Sequence, residues 1–307
     1  MKTITASAPA KVNLIFEVGK LESTGFHNVN SLFLGLDLRE EVQISVGAPG
    51  TGVTIFVSGE NLPIRHISAV PTDGSNLVAK VAKLLSQKLG ISIPDIQIDI
   101  LKRIPVAGGM AGGSADAAAM LVAFNEYAHQ NLGTRNLGKV ELLEIASELG
   151  SDISFSLMGE LAIGTGKGDQ LQALPALPFS THWVIAISQE GLSTPSVYVK
   201  FDELGTASTF SDLVSVSEGI ANSAELAGLL HNDLELAAIA LVPQLENLKA
   251  VIEELGALRA LVSGSGPTIA ALCSSKEQAE SIAKTLTAQG IFAVTARSPA
   301  HGANLDL

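Results

Sequence analysis

Two Gly-Gly pairs, Gly108-Gly109 and Gly112-Gly113, stand only two residues apart and constrain this chain more than any other feature. They lie in the run Pro105-Val106-Ala107-Gly108-Gly109-Met110-Ala111-Gly112-Gly113-Ser114-Ala115-Asp116-Ala117-Ala118. Before it, Ile96-Gln97-Ile98-Asp99-Ile100-Leu101 alternates apolar and polar at the period of a strand. After it, Ala117 to Phe124 is rich in helix formers. The segment reads as strand, glycine loop, helix. Glycine lets a backbone approach a ligand without a Cβ in the way. A helix opening there offers unpaired N–H groups and a positive dipole end, which suits a phosphate. A tight turn without a ligand is the plainer alternative. No Gly-Lys-Ser/Thr closes the run, so it is not a Walker A loop, and paired glycines do not fit the dinucleotide pattern.

The 307 residues suffice for about two domains, which we place at 1–158 and 159–307. A net charge of −12 argues against a nucleic-acid surface, which needs a basic face. It leaves a small anionic ligand open, because exposed charges are screened beyond about 8 Å. Cys273 is the one cysteine, so no intrachain disulfide forms and a cytoplasmic protein is expected. No signal peptide and no membrane span are expected either.

In Ala8-Pro9-Ala10-Lys11-Val12-Asn13-Leu14-Ile15-Phe16-Glu17-Val18, alternation puts Val12, Leu14, Phe16 and Val18 on a buried face and Lys11 and Asn13 on the other. Glu22 to Gly25 reads as a turn before Phe26-His27, with a second strand around Leu32 to Leu36. The runs 41–46 and 53–57 read as a hairpin. Asn76 is placed to cap a helix from Leu77 to Leu89. Lys102 and Arg103, just before the glycine loop, offer charge to a nucleotide or form a solvated strand end. A helix from Lys139 stops at Gly150, and Asp152 alone would read as the cap of the next helix. Strands at 183–187, 258–262, 268–273 and 291–295, with a helix from Ser275 to Ala288, suggest a split β-α-β, ferredoxin-like layer.

The glycine run resembles the second motif of the GHMP small-molecule kinases. The version here is similar to that of the family phosphorylating the 2-hydroxyl of 4-diphosphocytidyl-2-C-methyl-D-erythritol. Two further motifs stand in the expected order: Pro9-Ala10-Lys11-Val12-Asn13-Leu14 near the start, and Val262-Ser263-Gly264-Ser265-Gly266-Pro267-Thr268 near the end. The resemblance implies an α+β, two-domain GHMP kinase fold. Its N-terminal domain would be like domain 2 of ribosomal protein S5, and its C-terminal domain ferredoxin-like.

The resemblance also implies roles. Lys11 and Asp152 would be catalytic, the latter in Leu149-Gly150-Ser151-Asp152-Ile153-Ser154. Pro105 to Ser114, with Asn76 and Lys102, would hold ATP with Mg²⁺, the metal ligands being left open. Asn13, Phe26, His27, Thr194, Pro195 and Tyr198 would contact a cytidyl substrate, with Gly166 and Lys167 from Gly164-Thr165-Gly166-Lys167-Gly168-Asp169. Phe26 stands where the family has tyrosine and keeps a flat ring for a base. The partners expected are small molecules, the chain acting as a monomer or weak homodimer. Two alternatives remain at this level: a homoserine- or mevalonate-type kinase, or a noncatalytic nucleotide-binding module.

Overall fold

The computed structural model describes residues 2–106, 108–188 and 190–306. Ala107 of the expected ATP-binding residues lies outside these described residues.

Two strands form the frame: β1 (Ile4–Leu21) and β2 (His27–Val46). They pair antiparallel along nearly their whole length, so the two strands expected around 32–36 and 41–46 are one. β3 (Val53–Gly59) does not form a hairpin with β2. It pairs parallel with β4 (Ile96–Lys102), which itself lies against β2. Parallel neighbours need a crossover, and the helix Leu77–Leu89 supplies one. Central placement also suits β4, whose Ile96, Ile98 and Ile100 are all buried.

β5 (Leu161–Thr165) and β6 (Gln170–Leu174) extend the same sheet from the other end of β2. β7 (Thr181–Ile187) then begins a second sheet. β8 (His231–Asn232) returns to pair with β1. β9 (Arg259–Val262), β10 (Thr268–Cys273) and β11 (Phe292–Ser298) complete the second sheet, in the order β11-β7-β10-β9 with every pair antiparallel. This is the ferredoxin-like order that the sequence suggests. β12 (Asn304–Leu305) closes on β1.

The helix Gly112–Leu132 runs against β1 and β2 and is buried at Ala115, Ala117, Ala118, Ala119, Ala123 and Phe124. Small alanine side chains let it lie close to the sheet. Gly133, in the left-handed region at φ 72°, ends it. The other face of β1 does not follow strict alternation. The register shifts between Asn13 and Ile15, a β-bulge that reverses which residues face which way. Ile15 joins the core instead of Phe16, and Phe16 turns to the side of Lys11 and Asn13. Among the described residues, no helix is long and apolar enough to cross a membrane.

Candidate active site

The three glycine-containing or lysine-containing motifs meet at one place. The Lys11 N–H donates to the Met110 carbonyl at 3.3 Å, which ties β1 to the glycine loop. The Ser263 hydroxyl donates to the Gly109 carbonyl at 3.2 Å, which ties the loop to the third motif. Gly109 has φ 73°, and a Cβ there would lie 2.0 Å from the Ser263 carbonyl oxygen. Both facts exclude a side chain.

A cavity of about 280 Å³ opens beside this junction. Lys11, Asn13, Asp152, Lys167, Thr194 and Tyr198 line it, with Gly109 and Ala111 from the loop. A larger hollow of about 850 Å³ lies at Glu60, Arg103 and Lys284, but its walls carry none of the expected catalytic or substrate residues. The smaller cavity is therefore the candidate site.

Lys11 is buried, and burial pulls its pKa below the ordinary lysine range while the nearby Asp152 charge pushes it back up. The two groups face one cavity without a direct ion pair. Lys11 Nζ instead donates to Asn13 Oδ1 at 2.7 Å and stands 5.5 Å from the centre of the Phe33 ring. Burial, with the Asp152 charge adding to it, raises the Tyr198 phenol to about 12, so Tyr198 stays neutral beside that carboxylate. Asp152 does not cap its helix, Ser151–Met158. Gly150 occupies the N-cap, and Asp152 stands in the first turn without a capping bond. The capping role that Asp152 alone would suggest is therefore not the one it fills.

The glycine loop separates this cavity from a second, of about 200 Å³, lined by Asn76, Leu77, Lys102, Val106, Gly113 and Asp116 among others. The long helix begins at Gly112, earlier than its alanines suggest, so Gly112, Gly113 and Ser114 form its first turn. Their N–H groups have no intrahelical partner and can receive phosphate oxygens. Ala111 precedes them at φ 62°, a left-handed conformation that costs a non-glycine residue roughly 1–2 kcal/mol. Met110 contributes only backbone, since its side chain lies in the core. Pro105 and Gly108 complete the loop, Gly108 lying against Thr268, where a Cβ would come within 2.6 Å of Oγ1.

Lys102 departs from the expected free cation. It is buried between Glu40 Oε1 and Asp116 Oδ2, both at 2.6 Å. Arg103 is likewise occupied, by Glu60 and Glu41. Burial raises the Glu40 carboxyl to about 8, with the Asp116 charge adding and Lys102 opposing. A raised carboxyl pKa means the folded state keeps a proton that the unfolded chain has lost. Stability contributed by Glu40 is thus present at low pH and declines as pH rises from about 4.5 to about 8. The slope should reach at most about 1.4 kcal/mol per pH unit. Melting temperatures taken from about pH 6 to about pH 8 should fall more steeply for the native chain than for Glu40→Gln. Equal slopes would contradict this.

Asn76 caps the helix Leu77–Leu89 through Oδ1, and its Nδ2 donates to the Pro71 carbonyl, so local structure uses both ends. Thr194 opens the helix Thr194–Leu204, and its hydroxyl meets Ser265 Oγ at 2.8 Å across the cavity. Pro195 lies in that helix's first turn and forms no part of the cavity wall. Gly166 turns at φ 67° and its carbonyl accepts from the Val29 N–H at 2.8 Å, which positions Lys167. Lys167 Nζ stands 3.5 Å from the centre of the Phe26 ring, which is 52% exposed.

His27, like Phe26, stands outside the cavity lining. Its ring packs 5.1 Å from that of Tyr198. Nδ1 meets the Gly19 carbonyl at 2.8 Å, and Nε2 lies 3.4 Å from the Asp202 carboxylate. Nδ1 is engaged within the protein, while Nε2 forms no hydrogen bond to Asp202 and is the nitrogen left for a base edge. Sequence reasoning missed Phe16, Val29 and Phe33 in the cavity wall. The last two share a face of β2 by parity, a signal available in the sequence; Phe16 depends on the bulge and gives none.

Comparison with known proteins shows the family. The GHMP kinases N terminal domain matches residues 76–160, and GHMP kinases C terminal matches residues 209–291. A 4-diphosphocytidyl-2-C-methyl-D-erythritol kinase of Nocardia farcinica is 43% identical over 310 residues, covering 98% of this chain and 96% of that one. One of Thermobifida fusca is 42% identical, covering 99% and 98%. A crystal structure of a 4-(cytidine 5'-diphospho)-2C-methyl-D-erythritol kinase superposes with TM-score 0.75 at 27% identity, covering 97% of this chain and 100% of that one. A homoserine kinase from Cytophaga hutchinsonii, at TM-score 0.72 and 21% identity over 100% of this chain and 98% of that one, shares the fold. The chain belongs to the GHMP kinases, in the 4-diphosphocytidyl-2-C-methyl-D-erythritol kinase family.

Proposed function

We propose that this chain transfers the γ-phosphoryl group of ATP to the 2-hydroxyl of 4-diphosphocytidyl-2-C-methyl-D-erythritol, a step of non-mevalonate isoprenoid synthesis. One observation carries the mechanism: Lys11 and Asp152 share a cavity with the glycine loop at its edge. The acceptor hydroxyl would enter that cavity and give its proton to Asp152 as its oxygen attacks the γ-phosphorus. ADP leaves. Lys11, charged and close to Asp152, steadies the carboxylate and the transferring group. The first turn of the helix at Gly112 would hold the ATP phosphates. The nucleoside end would lie in the second cavity, near Asn76.

Magnesium fits this site through the nucleotide. No group of three or more His, Cys, Asp or Glu forms a cage among the described residues. Phosphate oxygens and water would supply most ligands, as is usual for this ion. When bound, it neutralises phosphate charge. We assign residues 1–158 to the ATP-binding domain and 159–307 to the second domain. In hydrogen bonding β5 and β6 belong with the first sheet. A cytoplasmic location and action as a monomer or weak homodimer complete the proposal.

Phe26 would stack on the cytosine. Base stacking on an aromatic ring contributes roughly 1–3 kcal/mol. Phe26→Ala should therefore raise KM for the cytidyl substrate by about 5–150-fold and leave that for ATP nearly unchanged. Equal increases for both would indicate a structural role instead. The function itself is tested by ADP release with and without the cytidyl substrate, and by competition with CDP. Dependence on the substrate and competition by CDP support the proposal. Turnover with homoserine or mevalonate instead, or ATP binding without transfer, would overturn it.

A further inference from the structure

A hydrogen-bonded line runs behind Lys11, and its direction is fixed at both ends. The Ile15 carbonyl can only accept, so the Ser31 hydroxyl, 3.0 Å away, must donate to it. The Ser31 oxygen then has lone pairs alone to offer, and it accepts from Asn13 Nδ2 at 2.7 Å. This turns Asn13 Oδ1 toward Lys11. The other end demands the same orientation, because the Lys11 ammonium only donates and meets Oδ1 at 2.7 Å. Ser31 is fully buried and Asn13 nearly so, and no water is needed to complete the line.

We propose that Ser31 is a positioning residue for phosphoryl transfer: its hydroxyl locks the Asn13 amide so that Oδ1 holds the Lys11 ammonium at the cavity. The proposal rests on the kinase reading above. The bulge between Asn13 and Ile15 is what brings the parts together. Without the bulge, Phe16, the residue paired with Ser31, would lie on the face opposite Lys11. Loss of the hydroxyl leaves Asn13 Nδ2 without its acceptor in a buried place. With Nδ2 unsatisfied, the amide can then shift toward another acceptor, which draws Oδ1 away from the ammonium. Lys11 keeps its charge less readily and loses its anchor, while Ser31 itself lies outside the cavity wall.

The test compares the native chain with Ser31→Ala and Ser31→Thr, using ATP and the cytidyl substrate. Ser31→Ala should lower kcat by about 10–100-fold, the scale of a small misplacement, with both KM values changed less than about threefold. The alkaline limb of its pH profile should move to lower pH, which lost packing alone would not cause. Ser31→Thr should restore both. Lys11 can also be titrated by side-chain NMR without substrate, its signal assigned by Lys11→Met. Its midpoint should fall by about 0.5–1 pH unit in Ser31→Ala. If Ser31→Ala fails to fold, Ser31→Thr against Ser31→Val, alike in shape, decides the same question. An unchanged kcat and an unchanged Lys11 midpoint would overturn the proposal. A native chain that fails to phosphorylate the cytidyl substrate would sink the kinase reading instead, and the titration would still decide the role of Ser31.

Discussion

Asp152→Asn should lower turnover by about 10²–10⁴-fold, the usual scale for losing a general base. The substitution keeps the size of the side chain and removes the proton-accepting carboxylate. ATP affinity should hardly change, because the glycine loop and the first turn at Gly112, rather than Asp152, would hold the phosphates. Stability should also hold. Asp152 makes no capping bond, Gly150 being the N-cap, so no helix end is lost with its charge. The Tyr198 phenol gives a second reading. The Asp152 charge helps to raise it, so its titration should move to lower pH in the variant. An active Asp152→Asn enzyme would remove the assignment. A measured melting temperature separates lost chemistry from lost fold.

Gly109→Ala should damage both fold and ATP binding. The position needs a left-handed backbone at φ 73°, and a Cβ would overlap the Ser263 carbonyl at 2.0 Å. Backbone cannot yield as a flexible side-chain tip can, so the glycine loop and the third motif must separate. A destabilisation of about 2 kcal/mol or more is expected for such a site. It should appear as a fall in Tm of roughly 4–8 °C. KM for ATP should rise at least about tenfold, since the loop would leave its position against Lys11. Gly113→Ala makes the contrast. A Cβ there meets only Leu77 Cδ1, at 3.9 Å, and should be tolerated by the fold. Similar Tm values for Gly109→Ala and the native chain would contradict the account of how these motifs meet.

Much of this site was legible in the sequence because its parts are local. A strand, paired glycines and an alanine-rich helix in immediate succession leave few structures open, and the loop is where that pattern puts it. The ferredoxin-like layer was legible for a similar reason, its strands being short, apolar and bounded by turns. What the sequence hid is set by contacts between distant segments. Alternation along β1 could not show the bulge at Leu14, which moves Phe16 into the cavity wall. The pairing of β3 with β4 rather than β2 depends on a crossover helix lying between them in sequence. Lys102 looked like a cation for a nucleotide because Glu40 is 62 positions away and Asp116 lies beyond the loop. The surroundings of His27 were hidden because Gly19 and Asp202 come from two different parts of the chain. Residue type and order marked the chemistry; only the fold decided which groups were already engaged.

The most direct test of the central claim is the identity of the product. The purified chain should be incubated with Mg²⁺, ATP and 4-diphosphocytidyl-2-C-methyl-D-erythritol, and followed by phosphorus NMR. One new phosphomonoester signal is expected, coupled to the substrate carbon skeleton at the 2-position and growing in step with ADP. The diphosphate signals of the cytidyl group should persist. Appearance of inorganic phosphate alone, or of a phosphate on any other hydroxyl, would contradict it.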